Sequence, residues 1–299
     1  MSLSLATWNV NSLMVRLPHL LAWLNTRPLD IVCLQETKLA DDSFPARDLL
    51  DVGYRCHFAG QKTYNGVAIL LRAESVGNAD AVVTGLPDFD DAQKRVIAIT
   101  VDGMRIVCAY FPNGQAVGSE KYAYKLKWIT ALTQWLRNEI VQHERLALLG
   151  DFNIAPEPRD VHDPALWDGQ ILCSDAEREA FRGLVALGLG DAFRLFDQPE
   201  RSFTWWDYRD LAFRRKMGLR IDHILLTSAL ARICTGCSIE VELRRKERPS
   251  DHAPVIATLA SAPDERSDPA VGTATVTGAA VADARPLARL ALSRPNGQA

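Results

Sequence analysis

The chain has 299 residues, 47% of them hydrophobic and 24% charged, a globular composition with apolar material for a large core. Its formal net charge is −3, so any contact with nucleic acid has to come from a local basic patch or a metal rather than from overall charge. No window approaches the length of an apolar membrane span, and the N-terminus lacks the charged and apolar regions of a signal peptide.

Leu3 to Asn9 alternates and predicts a strand. A helix follows, with Leu17, Leu20, Leu21 and Leu24 on one face and Pro18 tolerated in its first turn. Asp30 to Gln35 and Gly66 to Leu71 are short apolar runs that read as further strands. Arg95 to Val101 and Arg105 to Phe111 flank Asp102-Gly103, the strongest short hairpin signal. A long helical stripe comprises Tyr122, Leu126, Ile129, Thr133, Leu136 and Ile140, and another helix is expected from Asp175 to Leu187. Strands are expected at Arg145 to Leu149, Arg220 to Leu226, Ser238 to Leu243 and Ala253 to Leu259. Both helical stripes are read as core packing. Consecutive hairpins mixed with helices argue an α+β fold, with helices covering the outer faces of two packed sheets.

Residues 1–260 form the expected domain. Residues 261–299 are rich in Ala, Pro, Thr and Arg and contain no aromatic residue, so they are expected to be a disordered tail, with 285–294 able to form a short helix on a partner. Six scattered cysteines suit buried free thiols in a reducing cytosol. Cys234 and Cys237 form a CxxC, but no second pair or histidine cluster completes a zinc site.

Five polar clusters each end an apolar strand pattern: Asn9, Glu36, Asp151 with Asn153, Asp222, and Asp251 with His252. One such residue would read as a turn or a cap. Five point to a shared rim. Carboxylates and amides are hard oxygen donors suited to Mg²⁺ or Mn²⁺, and a single histidine among them suits proton handling or phosphate binding. The combination fits metal-assisted attack of water on a phosphodiester. The absence of a nucleophile elbow, P-loop or GxGxxG motif disfavours covalent and nucleotide-dependent chemistry.

These clusters, with Leu34 to Lys38, Gly60 to Val67, Tyr110 to Gly114, Gly150 to Pro156, Phe203 to Arg209, Gly218 to His223 and Ser250 to Pro254, resemble the exonuclease III type of apurinic/apyrimidinic endonuclease. That group lies in the endonuclease/exonuclease/phosphatase superfamily. The resemblance covers residues 1–260 and implies a DNase I-like, four-layer α/β/β/α sandwich acting on DNA in base-excision repair. It implies Glu36 as principal metal ligand, assisted by Asn9 and Asp251, and Asp151 as the acid/base. Asn153 would orient the nucleophile, His252 would contact the phosphate, and Asp222 would orient His252. Tyr110 and Asn113 would touch phosphate beside Lys38, and Trp205, Leu219 and Ile221 would line a pocket for a base-free sugar. Arg209, Arg214, Arg215, Lys216 and Arg220 offer a local phosphate patch, whereas Arg244, Arg245 and Lys246 read as a solvated edge.

The implied partner is double-stranded DNA with abasic sites or 3′ ends, and the expected state is a cytoplasmic monomer. Asn11 stands where some relatives have aspartate, which leaves one metal or two open. The loop from Glu157 to Ser174 departs from the animal enzymes, so abasic incision, 3′-phosphatase and 3′→5′ exonuclease activity all stay open. The same fold acting on inositol phosphates or sphingolipids, or an inactive nucleic-acid-binding scaffold, are the alternatives. The Gln35 to Lys38 motif and the aromatic-basic segment at 203–220 favour DNA.

Overall fold

The computed structural model describes residues 2–260; the expected tail, including 285–294, lies outside the described residues. The first sheet contains β1 (Ser2–Asn9), β2 (Ile31–Gln35), β3 (Tyr54–Ala59), β4 (Val67–Arg72), β11 (Cys234–Ile239) and β12 (Val255–Ala260), in the order β11-β12-β1-β2-β4-β3. The second contains β5 (Asp80–Thr84), β6 (Val96–Val101), β7 (Met104–Tyr110), β8 (Leu146–Asp151), β9 (Leu189–Asp191) and β10 (Asp222–Thr227), in the order β5-β6-β7-β8-β10-β9. Helices α1 (Leu13–Thr26) and α2 (Ala46–Asp51) pack on the first sheet, and α3 (Glu120–Gln142) and α5 (Asp175–Val185) on the second; α4 (Pro164–Trp167) and α6 (Ser228–Ile233) are short.

Three apolar layers explain the sandwich. Leu5, Ile31, Cys33 and Ile69 of the first sheet meet Ile99, Ile106, Leu149 and Ile224 of the second in the central layer. On the outer face of the first sheet, Ala6, Trp8, Val32 and Leu34 pack against Leu13, Leu20 and Trp23. Val107, Leu146 and Leu148 pack against Trp128, Leu132, Leu136 and Phe181 on the other outer face. Strands buried on both sides read as continuous apolar runs, which is why the central ones were legible. Parallel pairing needs a long crossover: α1 supplies it between β1 and β2, and α3 between β7 and β8. The Asp102-Gly103 hairpin forms as expected, with Val101 opposite Met104.

Several expectations need correction. The final edge strand is Cys234–Ile239, not Ser238 to Leu243; Val241–Arg245 is a short 3-10 turn. A register shift between Cys234 and Gly236 and half-exposed side chains weaken its pattern. Pro18 lies in the second turn of α1, because the helix begins at Leu13. The buried face of α3 runs through Tyr122, Lys125, Trp128, Ile129, Leu132 and Leu136, while Leu126, Thr133 and Ile140 flank it.

His223, next to the site, is a buried titratable group. Its Nε2 donates to Ile154 O at 2.9 Å and its Nδ1 accepts from Arg220 Nη1 at 3.0 Å, which defines the neutral tautomer. Burial, reinforced by Arg220, lowers its pKa to about 4. The unfolded imidazole binds its proton near 6.5 and the folded one does not, so stability is full above that range. It is lost as pH falls from about 6.5 to about 4, by roughly 3 kcal/mol for this group. Urea midpoints across that window should fall less steeply in His223→Leu than in the wild type. Identical slopes would remove His223 from the account.

Candidate active site

The topology delivers the polar strand ends to one rim. Parallel β1 and β2 release Asn9 and Glu36 at neighbouring exits, and parallel β7 and β8 bring Tyr110 into register with Asp151. β10 runs antiparallel to β8 with Asp222 opposite Asp151, and β12 runs antiparallel to β1, so Asp251 and His252 enter at the same end. The chain turns sharply there: Asn11, Glu36, Lys38 and Asn153 have φ of 42, 53, 56 and 51°. Asparagine adopts this region readily. For Glu36 and Lys38 it costs roughly 1–3 kcal/mol each, held by Ser12 N donating to Glu36 O at 2.8 Å and Lys38 N to Asn65 O at 2.9 Å. Gly150 must be glycine, since a Cβ would lie 1.8 Å from Ala109 O beside the strand that presents Asp151.

Asn9 is the hinge of the cluster. Its Nδ2 donates to Glu36 Oε1 and to Asp151 Oδ2, each at 2.8 Å, while its oxygen accepts from Asn11 N at 2.9 Å. Lys38 Nζ lies 2.8 Å from Glu36 Oε2 and 2.5 Å from Asn11 Oδ1. His252 Nδ1 lies 2.9 and 3.1 Å from the Asp222 oxygens, and its Nε2 is 3.7 Å from Asp151 Oδ2. Ser250 Oγ donates to Asn9 O at 2.7 Å and accepts from His252 N at 3.2 Å, which ties the last loop to the first strand.

Burial raises Asp151 to about 7; Asp222 and Glu36 push the same way, against the opposing pull of His252 and the Asn9 hydrogen bond. Burial alone would lower His252, but Asp222 and then Asp151 outweigh it and raise its pKa to about 10, so the imidazole is charged. Burial, Glu36 and Asp151 raise Tyr110 and keep its phenol a donor. Asp251 is lowered despite burial, because His252 and hydrogen bonds from Asn11 and Trp205 favour its charged form.

Ligand atoms of Glu36, Asp151 and His252 lie within 4.8 Å of one another. His252 is protonated and committed to Asp222, so a cation would be held from the carboxylate side of the cluster, a hard oxygen set that fits a divalent ion. Asn9 presents its nitrogen to those carboxylates, and both oxygens of Asp251 are engaged, by Asn11 Nδ2 at 2.9 Å and Trp205 Nε1 at 3.0 Å. Asn9 thus bridges Glu36 and Asp151, while Asp251 is held by Asn11 and Trp205 outside the Glu36, Asp151 and His252 group.

The cluster opens onto a cleft of about 890 Å³ lined by Glu36, Lys38, Tyr110, Asn113 and Arg209 among others. Asn113 Nδ2 donates to Asn153 Oδ1 at 3.1 Å, and Asn153 N donates to Asp151 Oδ1 at 2.9 Å, so the two amides and the carboxylate form one chain. Arg209, Arg214, Arg215 and Lys216 are exposed.

Arg220 is not part of that patch: it is buried, 2.7 Å from Asp160 and 2.8 Å from Asp191. Arg244 is buried as well, stacked 4.8 Å over Phe213, so only Arg245 and Lys246 of the second basic run are solvated. Trp206 is core, and Trp205 is half-buried. Leu219 and Ile221, expected to line a sugar pocket, are 0% and 1% exposed and packed against Leu172 and Cys173.

Two groups had not been expected. Arg16 of α1 donates to Asn11 O and Pro249 O, each at 2.7 Å, and braces two site loops. Lys125 and Glu177 form a fully buried pair beneath Asn113 and Asn153. A lysine on the apolar face of a long helix, three residues after Tyr122, was the available signal for the second.

A model described as the Endonuclease/Exonuclease/phosphatase family matches residues 6–252. The sequence is 34% identical over 264 residues to exodeoxyribonuclease III of Haemophilus influenzae, covering 84% of this chain and 97% of that protein. Among solved structures, a 3′ phosphatase from Neisseria bound to a product DNA hairpin is 47% identical with a TM-score of 0.84, covering 87% of this chain and 100% of that one. An AP endonuclease from Archaeoglobus fulgidus is 36% identical with a TM-score of 0.82, over 87% of this chain and 100% of that one.

Proposed function

The chain belongs to the endonuclease/exonuclease/phosphatase family, and from that premise we propose that it is a magnesium-dependent DNA repair hydrolase that works at 3′ ends. The observation that carries the reading is the single unit formed by Glu36, Asn9 and Asp151 beside a charged His252–Asp222 pair. Glu36 would hold the cation, which when bound neutralises phosphate charge and stabilises the leaving oxygen. His252 donates to a phosphoryl oxygen through Nε2, its Nδ1 being held by Asp222. Tyr110, Asn113 and Lys38 donate to the remaining oxygens from the cleft wall. Asp151 takes the proton of the attacking water; its pKa near 7 matches that task, and Asn153 fixes its other oxygen.

The preference for 3′ ends rests on the packing of Leu219 and Ile221 under Leu172, where an extrahelical base-free sugar would otherwise sit. The likeness to the Neisseria 3′ phosphatase supports it; the likeness to the Archaeoglobus AP endonuclease supports abasic incision as the second reading. Among the described residues, no helix is long and apolar enough to cross a membrane. The six free cysteines support a cytoplasmic setting.

Time courses on duplexes carrying a 3′-phosphate, an abasic site or a blunt end test the proposal. Release of the 3′-phosphate should be fastest. EDTA should reduce every rate by at least about 10³-fold, and added Mg²⁺ or Mn²⁺ should restore them. Faster abasic incision would overturn the preference, and turnover in EDTA would overturn the metal assignment.

A further inference from the structure

α3 carries a charge on its buried face. Lys125 and Glu177 have side chains with 0% exposure, and Nζ lies 2.5 Å from Glu177 Oε1. A buried ion pair is a weak source of net stability, so its role has to be sought in geometry. An ammonium has three N–H donors. Lys125 directs one at Glu177 and the others at Asn153 O, 2.7 Å away, and Asn113 O, 3.2 Å away. Those carbonyls belong to the two residues whose side-chain amides meet in the cleft at 3.1 Å.

Glu177 extends the connection to a third loop. Its Oε1 accepts from Leu172 N at 3.1 Å, and its Oε2 accepts from Ser174 N at 3.1 Å and Ser174 Oγ at 2.6 Å. Leu172 has a φ of 71°, strained for a side chain of its size, and packs on Leu219 and Ile221.

We infer that Lys125 and Glu177 are a positioning pair. They hold the Asn113 and Asn153 amides in register with the phosphate and keep Leu172 seated in the space beside Trp205. The pair thus sets both the rate on 3′-phosphates and the exclusion of a base-free sugar. The inference rests on the proposed DNA-phosphate reading of the cleft.

The double variant Lys125→Met/Glu177→Leu tests it, because removing both charges together avoids stranding either one. On a 3′-phosphate duplex with Mg²⁺, folded protein should lose about 30- to 100-fold in kcat, the scale of an ångström misplacement, with KM within a few-fold of wild type. The rate ratio of abasic to 3′-phosphate substrate should rise several-fold. Adding Asn113→Ala should cost less in the double variant than in the wild type, since the amide is already out of place. If the double variant does not fold by near-ultraviolet circular dichroism, Glu177→Gln and Lys125→Arg carry the same cycle. A folded variant with kcat within about twofold of wild type, an unchanged substrate ratio, or a fully additive Asn113→Ala loss overturns the pair's role. An inactive wild type on both DNAs would instead overturn the reading of the cleft.

Discussion

Asp151→Asn should lower turnover on a 3′-phosphate duplex by about 10³- to 10⁴-fold while leaving DNA affinity within a few-fold, the expected scale for loss of a general base. The substitution is nearly isosteric, and its oxygen can still accept from Asn153 N, which bonds Asp151 Oδ1 at 2.9 Å. What disappears is the basic oxygen facing Asn9 and His252, at 2.8 and 3.7 Å. The new amide nitrogen would there oppose the Asn9 nitrogen, donor against donor, so the bridge to Glu36 loosens too. DNA affinity is spared because Tyr110, Asn113, Lys38 and Arg209 sit on the cleft wall and keep their partners. Single-turnover rates and fluorescence anisotropy with the same duplex separate the two effects. A rate above a tenth of wild type would remove Asp151 from the proton transfer.

Part of the rim was legible because three of its members follow an apolar run: Trp8 before Asn9, Leu34 before Gln35-Glu36, Leu149 before Gly150-Asp151. Burial on both faces makes such runs continuous, and the following polar residue marks the exit. Asp222 instead opens β10, and Asp251 and His252 precede β12, because those two strands run antiparallel to their neighbours. The strands missed or misplaced are β3, β5, β9 and β11, the four edges of the two sheets. Edges carry half-exposed or exposed side chains such as Arg55, His57, Val82 and Thr235, so their apolar signal is weak.

The errors within the site have a different cause. Arg220 sits in a basic segment with Arg214 and Arg215, and nothing local reveals that Asp160 and Asp191 are folded against it. Leu219 and Ile221 have the apolar character expected of a pocket wall, but whether a wall faces space or Leu172 depends on a loop about fifty residues earlier in the chain. Local pattern shows which residues leave a strand together. It does not show which distant side chains fill the gaps between them.

His252→Ala should reduce kcat by about 10²-fold or more, the usual consequence of losing a charged donor to a developing phosphate charge. The charge depends on Asp222, whose oxygens lie 2.9 and 3.1 Å from Nδ1 and outweigh the burial that would otherwise discharge the ring. In the metal-free protein the imidazole should therefore stay protonated past pH 8, since its pKa is raised to about 10. A folded-state pKa above the unfolded one means that this pairing stabilises the protein fully below about 6.5 and fades as pH rises through about 10. Asp222→Asn keeps the shape and a hydrogen-bond acceptor but removes the charge, so the ring should titrate at lower pH, and activity should fall nearly as far as in His252→Ala. Combining the substitutions should cost little more than His252→Ala alone, because Asp222 acts through the ring. Histidine side-chain resonances followed by NMR between pH 5 and 10, with single-turnover rates on the three variants, check both points. An Asp222→Asn protein whose His252 titrates as in the wild type would show that Asp151, 3.7 Å from Nε2, suffices to hold the proton.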